Sequence, residues 1–153
     1  MVKSFQGVRL ADPKSQRSQP ILVQDHMTTK LTTFHPDDTI DSVILVLNQK
    51  KISGAPVLDD AGNLVGIISE VDCLKEIIRG KYNNTPRIAG RVREHMSKEV
   101  FTMDPEVSIF DAAHEFLKLK IRRFPVMKNG RLVGQISLSD IIRAVPDLKS
   151  STW

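Results

Sequence analysis

The sequence predicts an α+β fold made of two copies of one β-α-β-β-α unit, related by a pseudo-two-fold axis and packed sheet to sheet as one module. Three observations carry this expectation. Residues 24–77 align with residues 93–145 at an offset of 69, which falls to 68 after a one-residue deletion opposite Ala61. The matched pairs keep their order along the chain: His26/His95, Met27/Met96, Thr33/Thr102, Pro36/Pro105, Ile52/Ile121, Pro56/Pro125, Val57/Val126, Leu64/Leu132, Gly66/Gly134, Ser69/Ser137 and Asp72/Asp140. Within both stretches helical periodicity gives way to two short apolar runs around a polar turn, and then helical periodicity returns.

Each copy begins with a short extended segment. Asp38 and Thr39 in the first copy, and Val107 and Ser108 in the second, stand as N-cap candidates ahead of apolar residues at helical spacing: Ile40, Val43, Ile44 and Leu47, or Ile109, Ala112, Ala113 and Phe116. A helix of about three turns is expected in each. Ala55–Leu58 and Leu64–Ile68 then flank the polar stretch Asp59-Asp60-Ala61-Gly62-Asn63, which reads as a hairpin. The second copy tightens its turn to Lys128-Asn129-Gly130-Arg131, where both central residues tolerate positive φ. Ser69-Glu70-Val71-Asp72 and Ser137-Leu138-Ser139-Asp140 open a second helix, expected to close at Gly80 in one copy and Pro146 in the other. A unit of this size is marginal alone, so the copies are expected to cover each other's sheets and leave clefts in matched positions between them. The expected boundaries are a basic N-terminal extension over 1–23, repeats over 24–80 and 93–146, a linker over 81–92, and a tail over 147–153.

Composition narrows the function classes. With 41% hydrophobic and 26% charged residues, the chain reads as one soluble globular domain rather than a disordered or collagenous one. Cys73 is the single cysteine, so an intrachain disulfide framework is impossible and the cytoplasm is the expected compartment. No secretion signal or membrane-length apolar run is read, and no membrane partner is expected. The net charge of +4 is uneven: Lys3, Arg9, Lys14 and Arg17 against Asp12 give +3 to residues 1–20 and leave +1 for the rest. The segment KSQRSQ is expected to be a solvated arm, which makes nucleic acid a minor hypothesis. Neither a Gly-rich phosphate loop, a G-x-S-x-G elbow, HExxH nor an acid pair tied to a base is present, so no catalysis is expected.

The repeated D/E-x-M-T/S opening (Asp25–Thr28, Glu94–Ser97), the Pro-Val strand, the Leu-Val-Gly-x-Ile-Ser strand and the following S-x-x-D resemble the tandem CBS-domain pair, or Bateman module. The resemblance runs from about residue 24 to 146, and in detail it is to the small stand-alone bacterial members. It implies a regulatory module that binds AMP, ADP, ATP, related adenosyl compounds or cyclic di-AMP between its repeats, with the nucleotide as regulatory ligand and no required cofactor. It also implies a homodimer. By the same resemblance Asp72 and Asp140 hold ribose hydroxyls, with Ser69 and Ser137 near ribose or phosphate. Thr33 and Thr102 match the opening-strand threonine, and the residues lining base or phosphate are Ser53, Gly54 and Ala55 in one copy and Arg122, Arg123 and Phe124 in the other.

The residue types fit those roles. A carboxylate can accept from two vicinal hydroxyls, a helix start favours phosphate, and Arg122 and Arg123 offer guanidinium forks where Ser53 and Gly54 offer no charge. Two non-equivalent clefts are therefore expected, with Lys75 and Arg143 able to add charge. Plainer readings stay open: Ser-x-x-Asp is also a capping arrangement, the basic run at Lys118–Arg123 also complements a helix end, and the two threonines also suit strands. His26 and His95 lack the further ligands a zinc site needs, so no metal is expected. Cys73 is expected to be a buried, inert thiol, and Met27 and Met96 to be core anchors. Two rivals remain beside the sensor. One is a structural or protein-interaction dimer with empty clefts and an effector protein as partner, and the other binds nucleic acid through the basic lead and linker.

Overall fold

Thr39 and Ser108 start the first helix of each copy as read: each hydroxyl accepts the main-chain N–H three residues on, Ser42 at 3.2 Å and Asp111 at 3.0 Å. The computed structural model describes residues 2–7, 20–84 and 88–150, so the expected solvated arm KSQRSQ lies outside the described residues. In chain order the elements are β1 (Val2–Phe5), α1 (Val23–His26), α2 (Ile40–Lys50), β2 (Gly54–Leu58), β3 (Leu64–Ser69), α3 (Glu70–Tyr82), α4 (Val92–His95), β4 (Val100–Met103), α5 (Ile109–Leu119), β5 (Arg123–Lys128), β6 (Arg131–Ser137) and α6 (Leu138–Ser150). Among the described residues no helix is long and apolar enough to cross a membrane.

The chain divides into two compact units, and each is built from both repeats. The first is essentially Leu31–Val100. Here β2 and β3 form the hairpin, Phe34 adds a parallel bridge to Val57, and Ile40, Val43, Leu47, Ala55, Val57, Ile68, Cys73 and Val92 make the core. The second joins Lys3–Lys30 to Phe101–Trp153. Its sheet runs β1-β4-β5-β6, with β4 parallel to β5 and the β5–β6 hairpin turning through Asn129 (φ 51°) and Gly130 (φ 75°). Phe116 and Phe124 meet edge to face at 4.8 Å in its core.

The opening segment of each sequence repeat thus serves the other unit. Val23 and Gln24 donate to Val107 and Pro105 at 2.8 and 3.0 Å, and Val92 and Arg93 donate to Asp38 and Pro36 at 2.9 Å each. Thr28 exchanges two 2.9 Å bonds with Gln135, as Ser97 does with Ile67 at 2.8 and 3.0 Å. The duplicated methionines then press on the duplicated glycines. A Cβ on Gly134 would stand 2.5 Å from Met27 Sδ and 3.0 Å from the Thr28 carbonyl, and one on Gly66 would stand 2.7 Å from Met96 Sδ. Because one neighbour is main chain held by the Thr28–Gln135 bridge, Gly134→Ala is expected to cost about 1–3 kcal/mol. A lower urea midpoint at unchanged slope checks this, and an unchanged midpoint refutes it.

Four local readings need correction. The second helices overrun both expected stops. Gly80 lies inside α3, where a glycine costs only about 1 kcal/mol, and the left-handed residue past the helix end is Asn84 (φ 54°). Pro146 lies inside α6, and the helix continues past it because Leu148 still packs on the core. The extended openings contain one-turn helices, α1 and α4. Their motif acids turn the chain: Asp25 accepts from the Leu22 N–H at 2.8 Å and Glu94 from the Arg91 N–H at 3.0 Å. The first residues, for which the sequence offers no element, form a strand, since β1 takes the edge of the sheet beside β4.

Candidate functional site

The antiparallel register of each hairpin brings the residue before the Pro-Val strand to the start of the second helix. In the first unit Gly54 stands opposite Ser69, and the Glu70 N–H donates to the Ser53 carbonyl at 2.9 Å. In the second unit Arg123 stands opposite Ser137, and the Leu138 N–H donates to the Arg122 carbonyl at 2.9 Å. Ser53, Gly54, Ser69 and Asp72 therefore converge at one place, and Arg122, Arg123, Ser137 and Asp140 at the equivalent one.

The two aspartates are buried at helix starts, 7% and 6% exposed. Asp72 Oδ2 accepts from both the Ser69 N–H and the Ser69 hydroxyl at 2.9 Å, while the Asp72 N–H makes a long 3.5 Å contact to Ser69 Oγ. Asp140 Oδ2 accepts from the Ser137 N–H at 2.8 Å, and the Asp140 N–H donates to Ser137 Oγ at 3.2 Å. Capping therefore uses one carboxylate oxygen in each. The second oxygens differ. Asp140 Oδ1 accepts from the Arg143 guanidinium, whereas Asp72 Oδ1 has no hydrogen-bond partner among the described residues.

The other expected site residues divide. Ala55 (2% exposed) and Phe124 (fully buried) send their side chains into the cores, so main chain is what they present at the hairpin end. Thr33 is exposed just ahead of Phe34, whose main chain bonds Pro56 and Leu58; no described contact ties it to Ser69 or Asp72. Thr102 is fully buried in β4, with Oγ1 3.4 Å from the Lys3 carbonyl of β1. The two threonines, identical in the repeat, thus sit in different environments because, among the described residues, a strand is added at that edge in the second unit and not in the first. Sequence reasoning missed Glu70, whose carboxylate opens α3 where α6 has Leu138; the signal was the residue after each serine.

Beside the first site Cys73 is 3% exposed. Burial, and then the neighbouring Asp72 and Glu70 carboxylates, push its thiol up to about 11. The thiolate is the nucleophile, so Ellman's reagent at pH 8 is expected to react at least about 100-fold more slowly with native than with urea-unfolded protein. Equal rates would contradict this burial. The paired histidines are held separately. His95 Nε2 lies 2.7 Å from the Glu76 carboxylate in the first unit, and His26 Nε2 lies 3.1 Å from Asp147 in the second. Among the described residues no group of three or more His, Cys, Asp or Glu could hold a metal ion.

The CBS domain family matches twice, over residues 23–79 and 92–147. An uncharacterised protein of Methanocaldococcus jannaschii, MJ1404, is 32% identical over 145 residues; the match takes in 89% of this chain and 34% of that protein, so the chain spans about a third of it. Among solved structures, CBSX2 of Arabidopsis thaliana in complex with AMP is 29% identical with a TM-score of 0.73, covering 84% of this chain and 98% of that one. The CBS domain pair of MJ0100 in complex with 5′-methylthioadenosine and S-adenosylmethionine is 26% identical with a TM-score of 0.73, covering 85% and 99%.

Proposed function

The chain belongs to the CBS-domain family, and we propose that it is a non-catalytic regulatory module whose Asp72 and Asp140 each grip the ribose of an adenine nucleotide of the AMP, ADP and ATP class or of a related adenosyl ligand. The observation that carries this reading is the doubled convergence of a hairpin end, a helix start and a buried carboxylate with one oxygen committed to capping. A carboxylate with acceptor capacity beyond its cap can take the two vicinal hydroxyls of a ribose, which are donors of the right kind. AMP in a 29% identical relative, and methylthioadenosine and S-adenosylmethionine in a 26% identical one, support the adenosyl class.

Calorimetry with AMP, ADP, ATP, S-adenosylmethionine and cyclic di-AMP tests the reading. Saturable binding of at least one is expected, with thermal stabilisation of about 2.7 kcal/mol at a ligand concentration 100 times Kd. No binding by any of them at millimolar concentration overturns it. The response passes on only if the ligand has different affinity for two forms of the protein, so occupancy must change contacts that a partner or second copy reads.

Exposed apolar residues favour a homodimer as the form that reads it. In the first unit Val71, Leu74 and Ile78 form an exposed stripe at helical spacing on α3, and in the second Phe110 and Leu117 do so on α5. Light scattering of the wild type and of Leu117→Glu tests this; a wild-type monomer would refute it. The same stripes keep alive a second reading, a protein-interaction module that docks an effector. It gains if Asp72→Ala and Asp140→Ala leave the partner response intact while changes to the stripes abolish it. A cytoplasmic setting suits the lone Cys73.

A further inference from the structure

We propose that the edge of β4 in the second unit is a seat for an extended segment that two copies of this chain can fill for each other, β1 of one copy lying on β4 of its neighbour in a strand-swapped dimer.

The second unit builds the seat from its own residues. The Asp104 N–H donates to the Phe5 carbonyl at 3.0 Å, and the Thr102 hydroxyl lies 3.4 Å from the Lys3 carbonyl. The Lys3 ammonium stands 5.4 Å from the centre of the Phe101 ring, within cation–π range. Phe5 packs on the core cluster that contains Met103, Val107 and Phe124. Main-chain pairing therefore holds an extended segment here, and a cation two residues before an aromatic ring gives the segment its identity.

The first unit shows what the same edge becomes when it receives no strand. His35 matches Asp104 in the repeat, but its N–H donates to the Asp38 carboxylate of its own segment at 2.8 Å. Val107 stands at the position of Asp38 and offers no side-chain acceptor, so the Asp104 N–H is left to an incoming carbonyl. Thr32 matches Phe101 and brings no ring. The repeat thus closes one edge from within and keeps the other for a strand.

The contacts that seat β1 are the same whichever copy supplies it. Lys3 and Ser4 are exposed and Phe5 is half-buried, so unseating the strand leaves the rest of the second core in place. Gly7, left-handed at φ 69°, lets the chain turn away just past the strand. Fifteen residues, 6–20, separate Phe5 from Ile21, a length of chain that spans up to about 50 Å when extended. A reciprocal swap remakes every contact of both seats. The dimer is therefore opposed mainly by the lost freedom of two copies, and the connecting segment sets its Kd at about millimolar. The swap uses none of the apolar stripes on α3 and α5.

The test mixes two full-length proteins. One carries a nitroxide on Ser4→Cys; the other is isotopically labelled wild type without nitroxide, the only copy whose amide signals are read. Wild type taken through the same labelling reaction controls for the buried Cys73. At about 1 mM of each, the amides of Phe101–Asp104 are expected to lose about a quarter of their intensity relative to the reduced nitroxide, and tenfold dilution is expected to restore more than half of that loss. Adding Phe5→Ala to the nitroxide copy is expected to shrink the loss at least about threefold, with urea unfolding as the check that this copy still folds. Lys3→Glu, at an exposed position, is expected to shrink it about twofold. No loss at Phe101–Asp104, a loss spread evenly over the surface, or one that both variants leave unchanged overturns the swap. A loss centred on α3 or α5 reports only a dimer through the stripes and overturns it equally.

Discussion

Asp72→Ala and Asp140→Ala are each expected to lower the affinity of their own site for an adenosyl ligand about 10- to 100-fold, the worth of hydrogen bonds to a charged acceptor. Each carboxylate also caps a helix, so alanine removes two functions at once. At Asp72 the lost cap bonds are those from the Ser69 N–H and hydroxyl, at a cost of about 0.5–2 kcal/mol. Asparagine separates the two effects. Asp72→Asn keeps an acceptor for the cap and removes the charge, so stability is expected to stay near wild type while most of the affinity loss remains. Calorimetry beside urea unfolding reads both quantities. If the asparagine variant binds as wild type does while alanine does not, the carboxylate is only a cap.

Glu76→Ala is expected to cost about 1–3 kcal/mol, the penalty for leaving the buried Gly90 N–H and His95 without their acceptor while the half-exposed Arg79 turns to water. Glu76 is 2% exposed in α3, and its carboxylate accepts from Arg79 Nε and Nη2 at 2.9 Å each and from the Gly90 N–H at 3.1 Å, with His95 alongside. It is the point where the segment leading into α4 is tied to the first unit. The hydrogen bonds from Arg79 hold the carboxyl below its ordinary value of 4.5 against the opposing effect of burial. A carboxyl depressed in the folded state takes up its proton more readily after unfolding. Its contribution is therefore complete above about pH 4.5 and is lost as pH falls toward the folded value. Urea midpoints of the wild type should fall below that pH, and those of Glu76→Gln should fall less steeply. Parallel curves would show that Glu76 does not set the acid limb.

What was legible in the sequence was local. Thr39 and Ser108 as caps, the Asn129-Gly130 turn, the two hairpins and the Ser-x-x-Asp helix starts each depend on a few neighbouring residues, and repetition in register made them unmistakable. Three kinds of feature were hidden. Helix ends at Gly80 and Pro146 were overridden by packing further along, which no breaker residue can announce. The strand over Thr102 depends on an edge left open by distant residues, so Val2–Phe5 could not be read as a strand from its own composition. The exchange of opening segments leaves the repeat pattern unchanged, because identical segments fit either unit equally well in sequence. Of the site, the residue types and their inequality were visible, but the pairing of Asp140 with Arg143 and the spare oxygen of Asp72 required coordinates.

The exchange also sets an order of events during synthesis. The first unit has nearly all of its residues between Leu31 and Val100 and can close as soon as they have emerged. The second needs Val23 and Met27 from the beginning of the chain and Gln135 from near the other end. At ribosomal speeds of 5–20 residues per second, the early segment waits roughly 5–20 s with its apolar side chains unmated. A stalled ribosome or a nonsense codon beyond residue 100 would thus release a half-finished molecule with a finished first unit and sticky leading residues, the form that chaperones and proteases would meet.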